Sequence, residues 1–401
     1  MKRNGIRAIV FIVAAVLALQ ILPWRAAAMG FASLSPLLSL LGALATRAAT
    51  AWTLLGLPVL VLALFRSRWF CRHLCPVGFA AEGIGRWNKR GSRRFARWPH
   101  FGRWIFPLLL GGALAGYPLF IWLDPLSLFN GFFAVWHLPF TRTSFALAAG
   151  FPLILLLSWI APQSWCHRVC PLGAAQDFLT ILRRKLEIRK SPAAPREFQI
   201  EFGRRTFLGA AAGGAGALAL RHALAANPLP VRPPGARAES EFKGLCSRCG
   251  ACLRACPYGI LRPDFGAAGL TGLLAPVVDY AQAHCFEYCN ECAKVCPAGA
   301  IERLALETKR NRAIGLAEID RRTCIAWRDG EYCMVCHEFC PYLAIEIVEH
   351  HGVNCPVVKP EMCRGCGACQ VNCPAQPDKA IVVRGTPQHP ARPLDDASGP
   401  A

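Results

Sequence analysis

Residues 363–374 read CRGCGACQVNCP, in which four cysteines spaced Cys-x2-Cys-x2-Cys-x3-Cys are followed by proline. Related stretches occupy residues 246–257, 285–297 and 324–341. In such a loop the first three cysteines supply three corners of one 4Fe–4S cubane, and the fourth ligates a neighbouring cluster. The spacing therefore predicts four 4Fe–4S clusters. The sixteen predicted ligands are Cys246, Cys249, Cys252, Cys256, Cys285, Cys289, Cys292, Cys296, Cys324, Cys333, Cys336, Cys340, Cys363, Cys366, Cys369 and Cys373.

The four sets differ in regularity. The first and fourth are regular, whereas the second and third are stretched by one and by six residues. This near-palindrome favours nested pairing, in which the first set pairs with the fourth and the second with the third. Each pair would form an α+β ferredoxin-like unit. Sequential pairing, in which the first set pairs with the second, stays open. Gly250, Gly365 and Gly367 allow the loop backbone to approach the cluster sulfurs. In nested pairing, the last ligand of each cluster comes from the partner set. The first, second, third and fourth sets are then completed, respectively, by Cys373, Cys340, Cys296 and Cys256.

Zinc and haem are the alternative interpretations of these cysteines. Zinc favours paired Cys-x2-Cys knuckles and does not require four Cys-Pro endings. Residues 333–337, CMVCH, match the c-type haem motif, but haem would leave Cys324 and Cys340 without partners and break a complete set. Cys355 lies outside every set, and we expect a buried structural thiol there.

The N-terminal half contains long stretches without charge. They run Ala8–Trp24, Ala48–Phe65, Trp104–Leu123 and Thr143–Ala161, and each has 17 to 20 residues. A helix needs about 20 apolar residues to cross a bilayer. Since the chain is also 54% hydrophobic and only 17% charged, we expect an α-helical membrane domain with four spans.

The net charge of +20 comes entirely from residues 1–241, which contain 28 basic and 8 acidic side chains, whereas residues 242–401 contain 17 of each. The basic residues concentrate in segments 66–103 and 162–205, with ten and nine. The positive-inside rule therefore predicts that the N-terminus and both basic segments are cytoplasmic, in a protein that we expect in a bacterial inner membrane. Because the excess charge lies between apolar stretches, we expect no nucleic-acid partner.

The same half contains an internal repeat. Residues 69–78, WFCRHLCPVG, and 164–173, SWCHRVCPLG, lie 95 residues apart, and Ser-Pro-Leu at 35–37 corresponds to Asp-Pro-Leu at 124–126. Two repeated hairpins around a pseudo-twofold axis would bring four cysteines together, as a site for a further cluster or a metal ion. Two separate redox-active or structural pairs remain the alternative. The cysteines are Cys71, Cys75, Cys166 and Cys170.

Residues 203–209, GRRTFLG, open a fifth apolar stretch, Thr206–Leu220. The arginine pair and the short, small-residue stretch suit a twin-arginine export signal, with Ala223–Ala225 resembling a cleavage site. An ordinary weak fifth helix is the alternative. The predicted domains are a four-span membrane domain (1–190), a basic segment with the twin-arginine-like signal or anchor (191–226), a proline-rich linker (227–241), a four-cluster ferredoxin-like domain (242–384) and a disordered tail (385–401).

The membrane half, with its paired Cys-x3-Cys-Pro motifs, resembles the NapH/MauN-type membrane quinol-dehydrogenase proteins. The twin-arginine-like segment and the four cysteine sets, with residues 315–317 ahead of the stretched third set, resemble the NapG/MauM-type ferredoxin proteins. The chain therefore resembles a fusion of the two. This resemblance implies that quinol from the membrane quinone pool donates electrons, which pass through the clusters of a periplasmic domain to a periplasmic reductase or cytochrome.

Quinol oxidation needs a proton acceptor near the membrane edge. Asp124 and His137, in the predicted outer loop beside Trp122 and Trp136, are the candidates. The alternative is Asp124 as a turn or cap residue and His137 as a packed interfacial side chain. A competing function, also implied by the resemblance, is electron supply for the maturation or regulation of a periplasmic metalloenzyme.

Overall fold

The computed structural model describes residues 2–20, 31–48, 50–88, 99–188, 200–223, 229–266 and 268–392. The chain divides into two compact units. The helical unit comprises Met1–Ala225, Ser240–Ala251 and Val295–Ala300, and the α+β unit comprises Ala226–Glu239, Cys252–Lys294 and Ile301–Ala401. Two short segments of the predicted cluster domain therefore belong to the helical unit.

Helices α1 to α12 make up most of the described part of the helical unit. They are α1 Lys2–Ala18, α2 Pro36–Thr46, α3 Ala51–Leu55, α4 Leu57–Phe65, α5 Trp69–His73, α6 Pro76–Gly85, α7 Gly102–Leu114, α8 Pro125–Ala134, α9 Arg142–Ala148, α10 Gly150–Ile160, α11 Pro171–Ile188 and α12 Ile200–Ala223. Short 3-10 turns, Ile121–Leu123 and Val135–His137, flank α8, and a π-helical turn, Trp165–Val169, precedes α11.

Helices α2, α6 and α8 begin in the same way. Ser35, Cys75 and Asp124 are their N-cap residues, each followed by proline, and each side chain accepts a hydrogen bond from the backbone N–H three residues on. Proline is favourable there because the first helical N–H has no partner within the helix. The repeated X-Pro motifs are therefore helix starts.

The core of the helical unit draws on both halves of the repeat. Phe70, Phe106 and Phe129 are at most 1% exposed. Cys75 and Cys170 belong to the same cluster of buried side chains. The second cysteine of each Cys-x3-Cys-Pro motif is thus part of the core.

The predicted spans differ from the observed helices. Ala48–Phe65 is broken at Gly56, between α3 and α4, and Trp104–Leu123 is α-helical only as far as Leu114. Thr143–Ala161 is bent by 46° between α9 and α10, and residues 21–24 of the first span lie outside the described residues. Within the described ranges, no single helix combines the length and apolar composition that crossing a membrane requires, although the bent α9–α10 pair does so jointly.

The twin-arginine-like segment forms α12, which packs along α7. A Cβ atom on Gly111 of α7 or on Gly213 of α12 would overlap the backbone of the other helix. Small residues allow two helices to approach this closely. Arg221, near the end of α12, donates a 3.2 Å hydrogen bond to the carbonyl oxygen of Ala115. The predicted cleavage site extends into residues 224–225, outside the described residues.

The remaining elements are short. The helices are α13 Glu239–Leu245, α14 Ala251–Ala255, α15 Glu291–Lys294, α16 Leu306–Arg310, α17 Ile325–Arg328, α18 Val335–Glu338 and α19 Ala368–Asn372. The strands are β1 Leu261–Pro263, β2 Pro276–Val278, β3 Gly315–Ile319, β4 Ile345–His350, β5 Val353–Val358 and β6 Ile381–Gly385. They form the antiparallel pairs β1–β2, β3–β6 and β4–β5, so the predicted α+β character of this region is confirmed. Residues 393–401 of the predicted tail lie outside the described residues.

Candidate iron–sulfur sites

The fourth cysteine set gathers with one cysteine of the third set. Burial raises the pKa of the Cys369 thiol, and the nearby thiolates of Cys366, Cys363 and Cys340 raise it further. Burial also raises the pKa of Cys366 to about 12. Buried thiols of this kind become thiolates when they bind a metal, which supplies the compensating charge. We call Cys340, Cys363, Cys366 and Cys369 the fourth-set site.

Backbone N–H groups point at two sulfurs of the fourth-set site. The N–H of Ala317 donates to Cys363 Sγ at 3.5 Å, and that of Ala344 donates to Cys340 Sγ at 3.3 Å. Gly365 has a φ of +67°, and a Cβ atom there would lie 2.5 Å from the backbone nitrogen of residue 315. N–H···S contacts stabilise the negative charge of a cluster, and glycine is the residue that fits this turn.

The third set gathers in the same way with a cysteine of the fourth. Cys324, Cys333, Cys336 and Cys373 line one apolar pocket, which we call the third-set site. Burial raises the pKa of Cys336 to about 12, and the thiolates of the other three cysteines add to that increase. His337 of the haem-like motif places its Nδ1 2.6 Å from the carbonyl oxygen of residue 345. The cysteines of that motif therefore share a pocket with two further thiols, as the cluster interpretation predicts.

The second set gathers with a cysteine of the first. Burial raises the pKa of Cys292, and the thiolates of Cys285, Cys256 and Cys289 contribute to that increase. We call these four cysteines the second-set site.

A buried lysine lies beside the second-set site. Lys309 of α16 is buried, and its Nζ donates to the carbonyl oxygens of Phe286 and Cys289. Burial raises the pKa of Cys285, and the positive charge of Lys309 opposes that increase. Lys309 therefore holds the ligand loop and supplies positive charge to it. The cysteine motifs do not indicate this residue, because it contacts the loop through folding and not through a fixed spacing.

These groupings correct the predicted cluster pairing. Cys256 lies with the second set, Cys340 with the fourth and Cys373 with the third. The nested assignment of these three ligands is therefore wrong, and the sequential alternative fits them, because sets that follow one another in the chain exchange their last cysteines. In the first set, Cys246 and Cys249 belong to the helical unit, as does Cys296 of the second.

The four cysteines of the internal repeat come together in the helical unit. Cys71, Cys75, Cys166 and Cys170 line one cavity of about 350 Å³, which we call the repeat cavity. A Cβ atom on the glycine after each motif, Gly78 or Gly173, would lie 3.3 or 3.1 Å from the carbonyl oxygen of that motif's first cysteine. The two halves are thus built alike around the repeat cavity, as the pseudo-twofold hypothesis predicts.

Two polar features near the repeat cavity are not indicated by the cysteine motifs. Gln176 of α11 is fully buried, donates to Cys71 Sγ at 3.1 Å and accepts from the N–H of Phe70 at 3.2 Å. Arg68 pairs with Asp177, with 2.6 Å between Nη2 and Oδ2. Gln176 could have been found in the sequence as a polar residue on the apolar, buried face of the amphipathic helix α11.

The structure does not bring the two quinol-site candidates together. Asp124 is fully buried at the start of α8, and the adjoining Pro125 lines the repeat cavity. His137 lies beyond the other end of α8, a ten-residue helix about 15 Å long. The geometry of Asp124 is that of the helix cap named as its alternative, and its part in quinol oxidation stays a prediction.

The donor chemistry of the three sites in the α+β unit fits 4Fe–4S clusters. Each site offers four cysteine sulfurs, and the fourth-set site adds N–H donors and positive-φ glycines. Among the described residues, no three cysteine, histidine or carboxylate side chains converge closely enough to hold a single metal ion. Cys355 is buried in the core of the α+β unit, as expected, and its structural role stays a prediction.

Family profiles match both parts of the chain. A profile described as a 4Fe-4S dicluster domain matches residues 245–300, which hold the first and second sets. A second, described as a 4Fe-4S binding domain, matches residues 48–94 and 143–189. Each of those two ranges includes one Cys-x3-Cys-Pro motif of the repeat.

Curated ferredoxin-type proteins are similar to part of the chain. NapG of Escherichia coli is 36% identical over 192 residues, which cover 43% of this chain and 81% of NapG. NapG of Haemophilus influenzae is 32% identical, covering 48% of this chain and 73% of that protein. The methylamine utilization ferredoxin-type protein MauM of Methylorubrum extorquens is 34% identical, covering 36% of this chain and 67% of that protein. No solved structure matches the chain.

Proposed function

The chain belongs to the NapG/MauM family of ferredoxin-type iron–sulfur electron-transfer proteins, and we propose that it carries electrons from membrane quinol to a periplasmic redox partner. In this proposal the predicted cluster domain holds four 4Fe–4S clusters on its sixteen cysteines. The helical unit acts as a fused membrane protein of the NapH/MauN type, with quinol as its electron donor.

The observation that carries the membrane assignment is the apolar surface of the helical unit. On α1, α4 and α10 large apolar side chains face outward, with Ile9 63%, Phe65 62% and Leu153 59% exposed. Water-soluble surfaces seldom present many such side chains together, and a bilayer would cover them. Bent and broken helices are tolerated in membranes where neighbouring helices pair their freed backbone groups.

The repeat cavity is the proposed place of a further cofactor held on sulfur. Its wall combines four cysteine sulfurs with Arg7, Arg68 and Arg72, which outnumber the carboxylate of Glu82. Positive charge around sulfur ligands stabilises an anionic cluster. The amide of Gln176 would hold the Cys71 sulfur in place for such a group. We favour a cluster over a single metal ion there, because the wall carries three arginines against one carboxylate.

Quinone reaction kinetics test the electron donor. The purified full-length protein is placed in liposomes, its clusters are reduced, and their absorbance is followed after mixing with quinone analogues. We expect rapid reoxidation by at least one quinone. A chain whose reduced clusters react with no quinone would not be a quinol dehydrogenase component.

Reporter fusions test the location. In the proposal residue 188 is cytoplasmic and residue 392 periplasmic, so alkaline phosphatase should be active only when fused after residue 392. Replacing Arg204 and Arg205 together by lysine should abolish that activity if the segment is a twin-arginine signal. Phosphatase activity after residue 188 would contradict the orientation.

A second candidate function is electron supply for the maturation of a periplasmic metalloenzyme. Its support is the likeness to a protein named for methylamine utilization, which is about as strong as the likeness to NapG. The neighbouring genes discriminate the two functions. A reductase operon favours respiration, and an operon of assembly genes favours maturation.

A further inference from the structure

The second-set and fourth-set sites are joined by a direct hydrogen bond between two of their cysteines. The backbone N–H of Cys285 donates to the carbonyl oxygen of Cys366 at 2.9 Å. Cys285 is the first ligand of the second set and Cys366 the second ligand of the fourth. The ligand loops are therefore in contact although the two cysteines lie 81 positions apart in the sequence.

A buried tyrosine lies at the same contact. Tyr280 is buried, and its hydroxyl donates to the carbonyl oxygen of Gly365 at 2.5 Å. A Cβ atom on Gly367 would overlap the Tyr280 ring, so the ring lies directly on the fourth-set loop. Burial raises the pKa of Tyr280, and the thiolates of Cys285 and Cys366 raise it further, in agreement with a ring that lies near both sites.

The fourth-set site also adjoins the third-set site. Cys336 and Cys340 lie four residues apart around α18 and belong to different sites. Cys369 and Cys373 do the same around α19. The fourth-set site thus has contacts to both other sites, whereas in the sequence the third set follows the second.

We propose that the fourth-set cluster relays electrons between the second-set and third-set clusters, with Tyr280 and the Cys285–Cys366 hydrogen bond forming the junction. This inference rests on the proposed function, which supplies the clusters, the quinol donor and a one-electron periplasmic acceptor. Each transfer oxidises one cluster and reduces the next by one electron, and no bond or proton is exchanged. Tyr280 acts as a positioning residue that fixes the fourth-set loop against the second.

Magnetic coupling between reduced clusters tests the relay. One variant of the full chain keeps the second-set and fourth-set sites and carries Cys246→Ala, Cys249→Ala, Cys324→Ala and Cys333→Ala. The matched variant keeps the second-set and third-set sites and carries Cys246→Ala, Cys249→Ala, Cys363→Ala and Cys366→Ala. After dithionite reduction we expect a broadened, spin-coupled electron paramagnetic resonance spectrum from the first variant and two independent signals from the second. Absence of coupling in the first variant, or equally strong coupling in the second, would overturn the relay.

Tyr280→Phe tests the junction with all ligands intact. Loss of the hydroxyl removes the donor to the carbonyl of Gly365, so the midpoint potentials of the second-set and fourth-set clusters should shift and their coupling weaken. Tyr332→Phe, at a side chain that is 76% exposed, should leave both the midpoint potentials and the coupling unchanged. Unchanged potentials and coupling in Tyr280→Phe would overturn the junction. An iron-free wild-type chain would refute the proposed function, whereas an iron-loaded chain with the opposite coupling pattern would refute only the relay.

Discussion

Ser35 Oγ donates a 2.7 Å hydrogen bond to Asp124 Oδ1, and both residues are fully buried. They hold corresponding positions in the two X-Pro-Leu motifs, and each also caps the helix that follows it. The two halves of the helical unit therefore meet at their equivalent helix starts. This contact gives the internal repeat a structural meaning that is independent of any cofactor.

The contact predicts a structural role for Asp124. Asp124→Ala removes the cap and leaves Ser35 without this acceptor, so the helical unit should lose about 1–3 kcal/mol of stability. Asp124→Asn keeps a side-chain oxygen and should lose less. Thermal unfolding in detergent compares the two variants, and equal losses would contradict the cap.

The hydrogen bonds of Asp124 also lead to a prediction about its part in quinol oxidation. Because Asp124 accepts hydrogen bonds from Ser35 and from the N–H and hydroxyl of Ser127, we expect Asp124→Asn to leave the reaction with quinones unchanged. His137→Gln serves as the companion variant in the same liposome assay. A large loss of quinone reactivity in Asp124→Asn alone would instead assign Asp124 to proton transfer.

The repeat cavity predicts a shared cofactor. If its four cysteines bind one cluster, each single alanine variant should lose the same amount of iron, about four atoms per chain. Cys355→Ala, which removes a buried thiol outside every set, should retain all its iron. Anaerobic purification with an iron assay measures this. Wild-type iron content in Cys71→Ala and Cys166→Ala would exclude the shared site.

Lys309 should set the potential of the second-set cluster. A buried positive charge favours the reduced, more negative cluster, so Lys309→Met should lower one midpoint potential by roughly 50–100 mV. Lys294→Met is the matched control, since that side chain is 46% exposed and pairs with Glu291. A redox titration followed by paramagnetic resonance distinguishes them. An equal shift in both variants would show that Lys309 has no special influence.

Candidate ligands can be proposed from the sequence because ligand spacing is a local property. Cys-x2-Cys-x2-Cys loops and the X-Pro helix starts are both visible within a few residues. The cluster pairing was not predictable in this way. It depends on which set each last cysteine joins, as Cys340 joins the fourth set and Cys373 the third, and that is decided only when the loops fold together.

The helix breaks show a similar limit. Hydropathy identifies Ala48–Phe65 as one apolar stretch, but the α3–α4 break at Gly56, followed by Pro58, divides it. The separation of Asp124 from His137 has a related cause, because the apolar residues between them form α8 and not a loop. Hydropathy reports composition along the chain, whereas packing decides the path of a short helix.

Iron and acid-labile sulfide, counted per chain in the anaerobically purified wild-type protein, test the central claim most directly. Four 4Fe–4S clusters on the sixteen cysteines require about sixteen iron and sixteen sulfide, and about twenty of each if the repeat cavity also holds a cluster. Mössbauer spectra should then show cubane iron alone. A chain with about eight iron or fewer, or with metal but no sulfide, would contradict the account.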